Sequence, residues 1–107
     1  MARNRQIILM HAPENDAPIP LGTKREVLQK LAKYNTAPDG SPESLGMAFG
    51  PGIRIDLPMV DDRDEINQAV VSIIEEEIAW PVLSRLCKQH GWQMADPETG
   101  RTFGAGM

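Results

Sequence analysis

The chain has 107 residues, 41% of them apolar and 24% charged, and a net charge of −4. That length predicts one α+β domain over residues 1–107, large enough to build a core without metal or disulfide. The single cysteine excludes an internal disulfide and suits a reducing, cytoplasmic setting. The longest aliphatic run near the N-terminus, Ile7 to Met10, is too short for a signal-peptide core, and no run approaches a membrane span.

Charge is uneven along the chain. Residues 1–33 carry six Lys/Arg against three acids, and the remainder five against twelve. Such polarity suits head-to-tail association or a charged partner, and equally well solvated faces that simply differ.

Residues 1–22 are predicted to be partly extended. Gln6 to Met10 reads as an edge strand or a fraying terminus, and residues 11–22, with three prolines and no periodicity, as a loop. A helix follows over 23–34. Thr23 and Glu26 have the spacing of a capping box, and Val27, Leu28, Leu31 and Tyr34 form its apolar face. Asn35 and Pro38 end it. Residues 35–44 are turn-formers throughout.

Leu45 to Phe49, the Gly50-Pro51-Gly52 reversal and Ile53 to Val60 come next. Ile53, Ile55, Leu57 and Met59 alternate with Arg54, Asp56 and Pro58, the clearest strand pattern in the chain. Pro58 has no amide proton, so it marks an edge or lies past the paired part. Asp61 to Glu65 is a polar link. Residues 66–74 are ambiguous: Ile66, Ala69, Val70, Ile73 and Ile74 make a helical stripe, and Asp62 with Glu65 even has capping-box spacing. The β-branched Val70, Val71, Ile73 and Ile74 favour a strand. The strand is preferred, forming a hairpin with 53–59.

Glu75 to Thr102 organises the rest. Trp80, Leu83, Leu86, Cys87 and His90 share one face of a helix at about 78–90, with Ser84, Arg85, Lys88 and Gln89 opposite. Glu75, Glu76 and Glu77 lie where the helix dipole favours acids, and Gly91 is a left-handed stop. Pro81 requires the helix to begin near Ala79, or to begin near Glu76 and bend. Trp92 to Ala95 is a short strand, 96–100 a hairpin turn, Arg101 to Phe103 its return, and 104–107 a frayed tail.

The expected architecture is a two-layer sandwich: a mostly antiparallel sheet of four to five strands with two helices on one face. If 66–74 were helical the order would approach the β-α-β-β-α-β of a ferredoxin-like arrangement. The expected core is Val27, Leu28, Leu31, Ile53, Ile55, Leu57, Val70, Ile74, Leu83, Leu86 and Trp92.

No motif singles out a catalytic residue. Cys87 and His90, three apart on a helix, are the minimum for thiol–imidazole chemistry. Together with Asp96 they form the candidate ligand site, set against a core cysteine that packs as a small hydrophobe beside a helix-end histidine. A zinc site would need more ligands, and His11 is remote in sequence. Asp61/Asp62/Asp64/Glu65 and Glu75/Glu76/Glu77 lack the spacing of a calcium loop. Gly50-Pro51-Gly52 lacks the Lys of a phosphate loop. The basic face of helix 23–34 with Arg3 and Arg5 is the one nucleic-acid candidate, weak in an acidic chain with 5% aromatics. Trp80, Trp92, Phe49, Phe103 and Met94 read as core or as the lining of a pocket. No cofactor, metal, membrane or nucleic-acid partner is expected. Two functions compete. One is a soluble, non-catalytic interaction or regulatory module that forms a homo-oligomer through a sheet edge or an uncovered sheet face, with another protein as an additional partner. The other is a small enzyme or ligand-binding protein using Cys87, His90 and Asp96.

Overall fold

The computed structural model describes residues 5–15, 17–40 and 46–104. Period-two burial along the strands builds the sheet. In β1 (Arg5–His11), Ile7 and Leu9 are fully buried while Gln6, Ile8 and Met10 are not. β6 (Gln68–Ile73) lies antiparallel to it, pairing Val71 with Ile7 and Ala69 with Leu9. β4 (Ile53–Asp56) pairs with β6 on the other side, bringing Ile53 and Ile55 opposite Ile73 and Val71. β3 (Met47–Gly50) closes a hairpin with β4 across Gly50-Pro51-Gly52. Beyond β1 lie β7 (Trp92–Ala95) and β8 (Thr102–Gly104), giving the order β3-β4-β6-β1-β7-β8. A separate two-stranded ladder joins β2 (Gly22–Thr23) to β5 (Glu65–Ile66).

Both helices cover the face that carries Ile7, Leu9, Ile53, Ile55, Ala69, Val71, Ile73, Trp92 and Met94. In α1 (Lys24–Ala32), Val27 and Leu31 are buried, and in α2 (Glu76–His90), Ala79, Leu83, Leu86 and Cys87. These side chains and the sheet residues form one core. At about 25 cal/mol per Å² of apolar surface, this layer is the main source of stability.

The capping box at Thr23 is complete: the Glu26 amide donates to Thr23 Oγ1 at 3.2 Å and the Thr23 amide to Glu26 Oε1 at 2.9 Å. α2 begins at Glu76, so Pro81 lies inside it, beyond the first turn. Gly91 ends α2 at φ +70°, and its carbonyl accepts from the Ala12 amide at 2.9 Å. Gly52 matters for a different reason. Its φ is +69°, and a Cβ there would come within 2.8 Å of the Glu75 carbonyl oxygen. Its own carbonyl accepts from the amides of Ile74 (2.8 Å) and Glu75 (3.1 Å). The β3–β4 turn is therefore seated against the start of α2.

The two-layer α+β sandwich read from the sequence is the fold, with the short β8 as a sixth strand. Three particulars differ, and one open alternative is decided. β1 is central, because Ile7 and Leu9 are covered by the helices and both its edges are paired. Of the two readings of Pro58, the second holds: β4 ends at Asp56 and Pro58 lies past the ladder. Residues 68–73 are a strand, and their phase is opposite to the one expected. Val71 and Ile73 face the helices, whereas Val70 is half-buried on the other side and Ile74 is 53% exposed. Leu28 is only partly buried. The connectivity contains the β-α-β-β-α-β order even so. β1 and β4 both run antiparallel to β6, and β6 and β7 both run antiparallel to β1. Each mutually parallel pair is joined through one helix, as a ferredoxin-like arrangement requires. The frayed tail expected at 104–107 lies, apart from Gly104 in β8, outside the described residues.

Candidate functional site

Cys87 and His90 lie one turn apart at the C-terminal end of α2. Cys87 is fully buried, and burial pushes its thiol up to about 11. A nucleophilic thiol needs the opposite shift, so the pair lacks the activation that thiol chemistry requires. His90 packs against Trp92, with ring centroids 5.1 Å apart, and edge-on to Tyr34 at 6.5 Å. The Tyr34 hydroxyl donates to Gln89 Oε1 at 2.8 Å, tying the ends of the two helices together. Burial, with Lys30 and Lys33 nearby, lowers the His90 pKa below its ordinary value and keeps the ring neutral. His90 Nε2 and Trp92 Nε1 are buried without a hydrogen-bond partner.

Asp96 stands at the other end of β7. Four strand residues separate it from Gly91, roughly 16 Å of extended chain. It accepts from the Glu98 amide at 2.9 Å and from Arg5 at 2.9 Å, contacts that hold its carboxyl below the usual range. Its work is to fix the 96–100 turn, whose Gly100 amide returns to the Asp96 carbonyl at 2.8 Å. Cys87 and His90 are thus neighbours, and Asp96 is not brought to them.

Arg5, once a nucleic-acid candidate, is committed to Asp96 and lies 5.4 Å over the Trp80 ring; Arg3 is outside the described residues. The Asp61 and Asp64 carboxylates satisfy backbone amides of their own loop, those of Arg63 and Asp61, at 3.1 Å. Among the described residues no group of three His, Cys, Asp or Glu could hold a metal ion, and no helix is long and apolar enough to cross a membrane. Of the aromatic and sulfur candidates, Trp92 and Met94 are core and Trp80 packs against it, while Phe49 is 36% exposed. The Phe103 side chain is outside the description. A groove of about 440 Å³ is lined by Pro58, Val60, Glu65, Ile66, Asn67 and Gln68, and the Lys24 ammonium donates to the Val60 carbonyl there at 3.2 Å.

The feature that sequence reading placed least well is the second face of the main sheet. Among the described residues no helix covers it. The strand registers put its side chains in rows. One row runs Met47, Asp56, Val70, Ile8, Ala95. The next runs Phe49, Arg54, Ser72, Gln6. Met10, Gln68 and Gln93 form a third. Ile8, Met10, Met47 and Val70 are only half-buried. Ser72 is buried on this open side because Arg54 and Gln6 lie over it, their contacts with its hydroxyl oxygen being 3.4 and 3.5 Å. Arg54 and Asp56 are the only charged residues at the described positions of this face, 3.5 Å apart. The legible signal was in β1 and β6, where apolar residues occupy both parities, so one apolar set had to remain on the side the helices leave bare.

Comparison of the chain with protein-family models, with curated proteins and with solved structures finds no match.

Proposed function

We propose that this chain is a small, soluble, non-catalytic interaction or regulatory module that self-associates through the open face of its main sheet. One observation carries the reading: on a sheet face that no described helix covers, Ile8, Val70 and Met10 stand close together, and Met47 and Phe49 flank them across the Arg54/Asp56 pair of β4. Apolar side chains left part-exposed on an uncovered sheet face, beside polar groups, favour an interaction site. The occupant is a second copy, on grounds of charge. The molecule as a whole carries −4, so two copies repel, but among the described residues this face holds one cation and one anion and is electrically self-complementary.

Six strands about 4.8 Å apart and about five residues long span a flat footprint of roughly 480 Å². Standard interfaces bury about 800 Å² per partner. The expected association is therefore weak and concentration-dependent. Sedimentation velocity from about 1 μM to about 1 mM should show a monomer–dimer equilibrium, and Val70→Glu, which places a charge at the centre of the face, should leave a folded monomer. A wild-type protein that stays monomeric across that range defeats the proposal.

A second reading has one observation in its favour. The unpartnered His90 Nε2 and Trp92 Nε1 would suit a small polar ligand at the end of α2. Native mass spectrometry separates the two readings. Mass retained on the native species and lost on denaturation, and lost again in His90→Ala, would favour the ligand.

A further inference from the structure

We infer that the two copies pack about a two-fold axis that crosses the strands at the level of Ile55, so that Arg54 of each copy meets Asp56 of the other. This rests on the self-association proposed above and specifies its geometry.

Face-to-face sheets keep their strands roughly aligned, which leaves two directions for a two-fold axis in the plane between them. An axis along the strands keeps every row at its own height. Placed over β6, it sets Arg54 on Gln6 and Asp56 on Ile8 of the second copy; placed over β4, it sets Arg54 on Arg54 and Asp56 on Asp56. In either arrangement the second copy offers no counter-charge, and the pair is buried with only its long 3.5 Å contact within the chain, which is costly. An axis across the strands at Ile55 exchanges the two rows. The register pairs Phe49 with Arg54 and Met47 with Asp56. One rotation therefore brings Arg54 onto Asp56 and Phe49 onto Met47 of the second copy at the same time.

Arg54 is free to make that contact. Its links within the chain are long, 3.5 Å to Asp56 and 3.4 Å to Ser72, and its buried Nε has no hydrogen-bond partner. A guanidinium carries five N–H donors and gains most from a carboxylate at shorter range. Exchange of the pair between copies keeps each charge neutralised and moves both out of water together.

Charge reversal tests the geometry. R54D alone sets carboxylate against carboxylate across the axis, and D56R alone sets guanidinium against guanidinium. Each single variant should dimerise at least tenfold more weakly than wild type. Mixed in equal amounts, the two should form a heterodimer of near wild-type affinity, since each then presents the complement of the other. The double variant R54D/D56R, in one chain, should homodimerise like wild type and provides the control for folding, with circular dichroism of all three as a check. If the single variants dimerise like wild type, or if they are weakened and neither the mixture nor the double variant recovers, the axis is overturned while self-association stands. A monomeric wild type overturns both.

Discussion

Cys87 and His90 show how a residue pair that suggests chemistry becomes packing. After Ala79, Cys87 is the smallest of the apolar side chains that α2 turns to the sheet, and its thiol is held near 11 by burial alone. In the folded protein it should resist a thiol-specific disulfide reagent at pH 8 and react fully once the protein is unfolded in urea. Rapid reaction in the native state would reopen the catalytic reading. His90 supplies a pH dependence whose sign follows from its surroundings. Its folded pKa lies below the unfolded 6.5, because burial and the Lys30 and Lys33 charges disfavour the imidazolium. The unfolded chain therefore takes up the proton first, and stability falls as pH drops through about 6.5. Asp96 has a linkage of the same sign in a more acidic window: its lowered carboxyl contributes above its unfolded pKa of 3.8, and that stability is lost in stronger acid. Between pH 5.5 and 7.5 the His90 effect stands clear of it. The urea midpoint should decline toward pH 5.5 in wild type and decline less in His90→Gln; an equal decline in both would remove the assigned cause. The i, i+3 spacing of Cys87 and His90 was legible in the sequence. What it could not convey was that Asp96 is spent at the far end of β7 on Arg5 and its own turn, since that depends on β1 being central.

Helix ends and turns were read well because their signals are local. Thr23 and Glu26 cap α1 through two reciprocal hydrogen bonds, and Thr23→Ala should cost about 1 kcal/mol, a fall in Tm of roughly 4–8 °C, with Thr23→Ser largely preserving it. Gly52 couples two elements that the sequence showed only separately. Its left-handed φ strains any other residue, and the Glu75 carbonyl leaves no room for a Cβ. Gly52→Ala should therefore cost roughly 2 kcal/mol or more, with faster amide exchange at Ile74 and Glu75, whose N–H groups donate to the Gly52 carbonyl. A stable variant with unchanged exchange would show the turn and α2 to be independent. Strand phase was the hard part. Ile53 and Ile55 alternate with Arg54 and Asp56, so β4 had one reading. β6 offers Val70, Val71, Ile73 and Ile74, apolar at both parities, and alternation alone cannot say which pair meets the helices. The register with β1 settles it, through Ile7 opposite Val71.

At the scale of the molecule, that ambiguity has a physical meaning. A strand apolar on both sides belongs in a sheet that is covered on both sides, and here the helices cover only one. Val70 and Ile8 sit side by side in the centre of the face that no described helix covers, the face to which the proposed self-association is assigned. The β3 edge is less inviting. The Phe49 amide on β3 already donates to the Ala37 carbonyl at 2.8 Å and its carbonyl accepts from the Ala37 amide at 3.0 Å, which blunts that edge against strand addition. The face-to-face association proposed above predicts a coupling to folding by mass action, because a contact made by the assembled sheet forms only between folded chains. The Tm of wild type should therefore rise with protein concentration. At a partner concentration about 100-fold above Kd the gain approaches about 2.7 kcal/mol, equivalent to roughly 10 °C or more for a chain of this size. Val70→Glu should show a Tm independent of concentration and equal to that of dilute wild type, since Val70 contributes little to the helix-covered core. A concentration-dependent Tm that survives Val70→Glu would move the contact off this face and onto an edge strand.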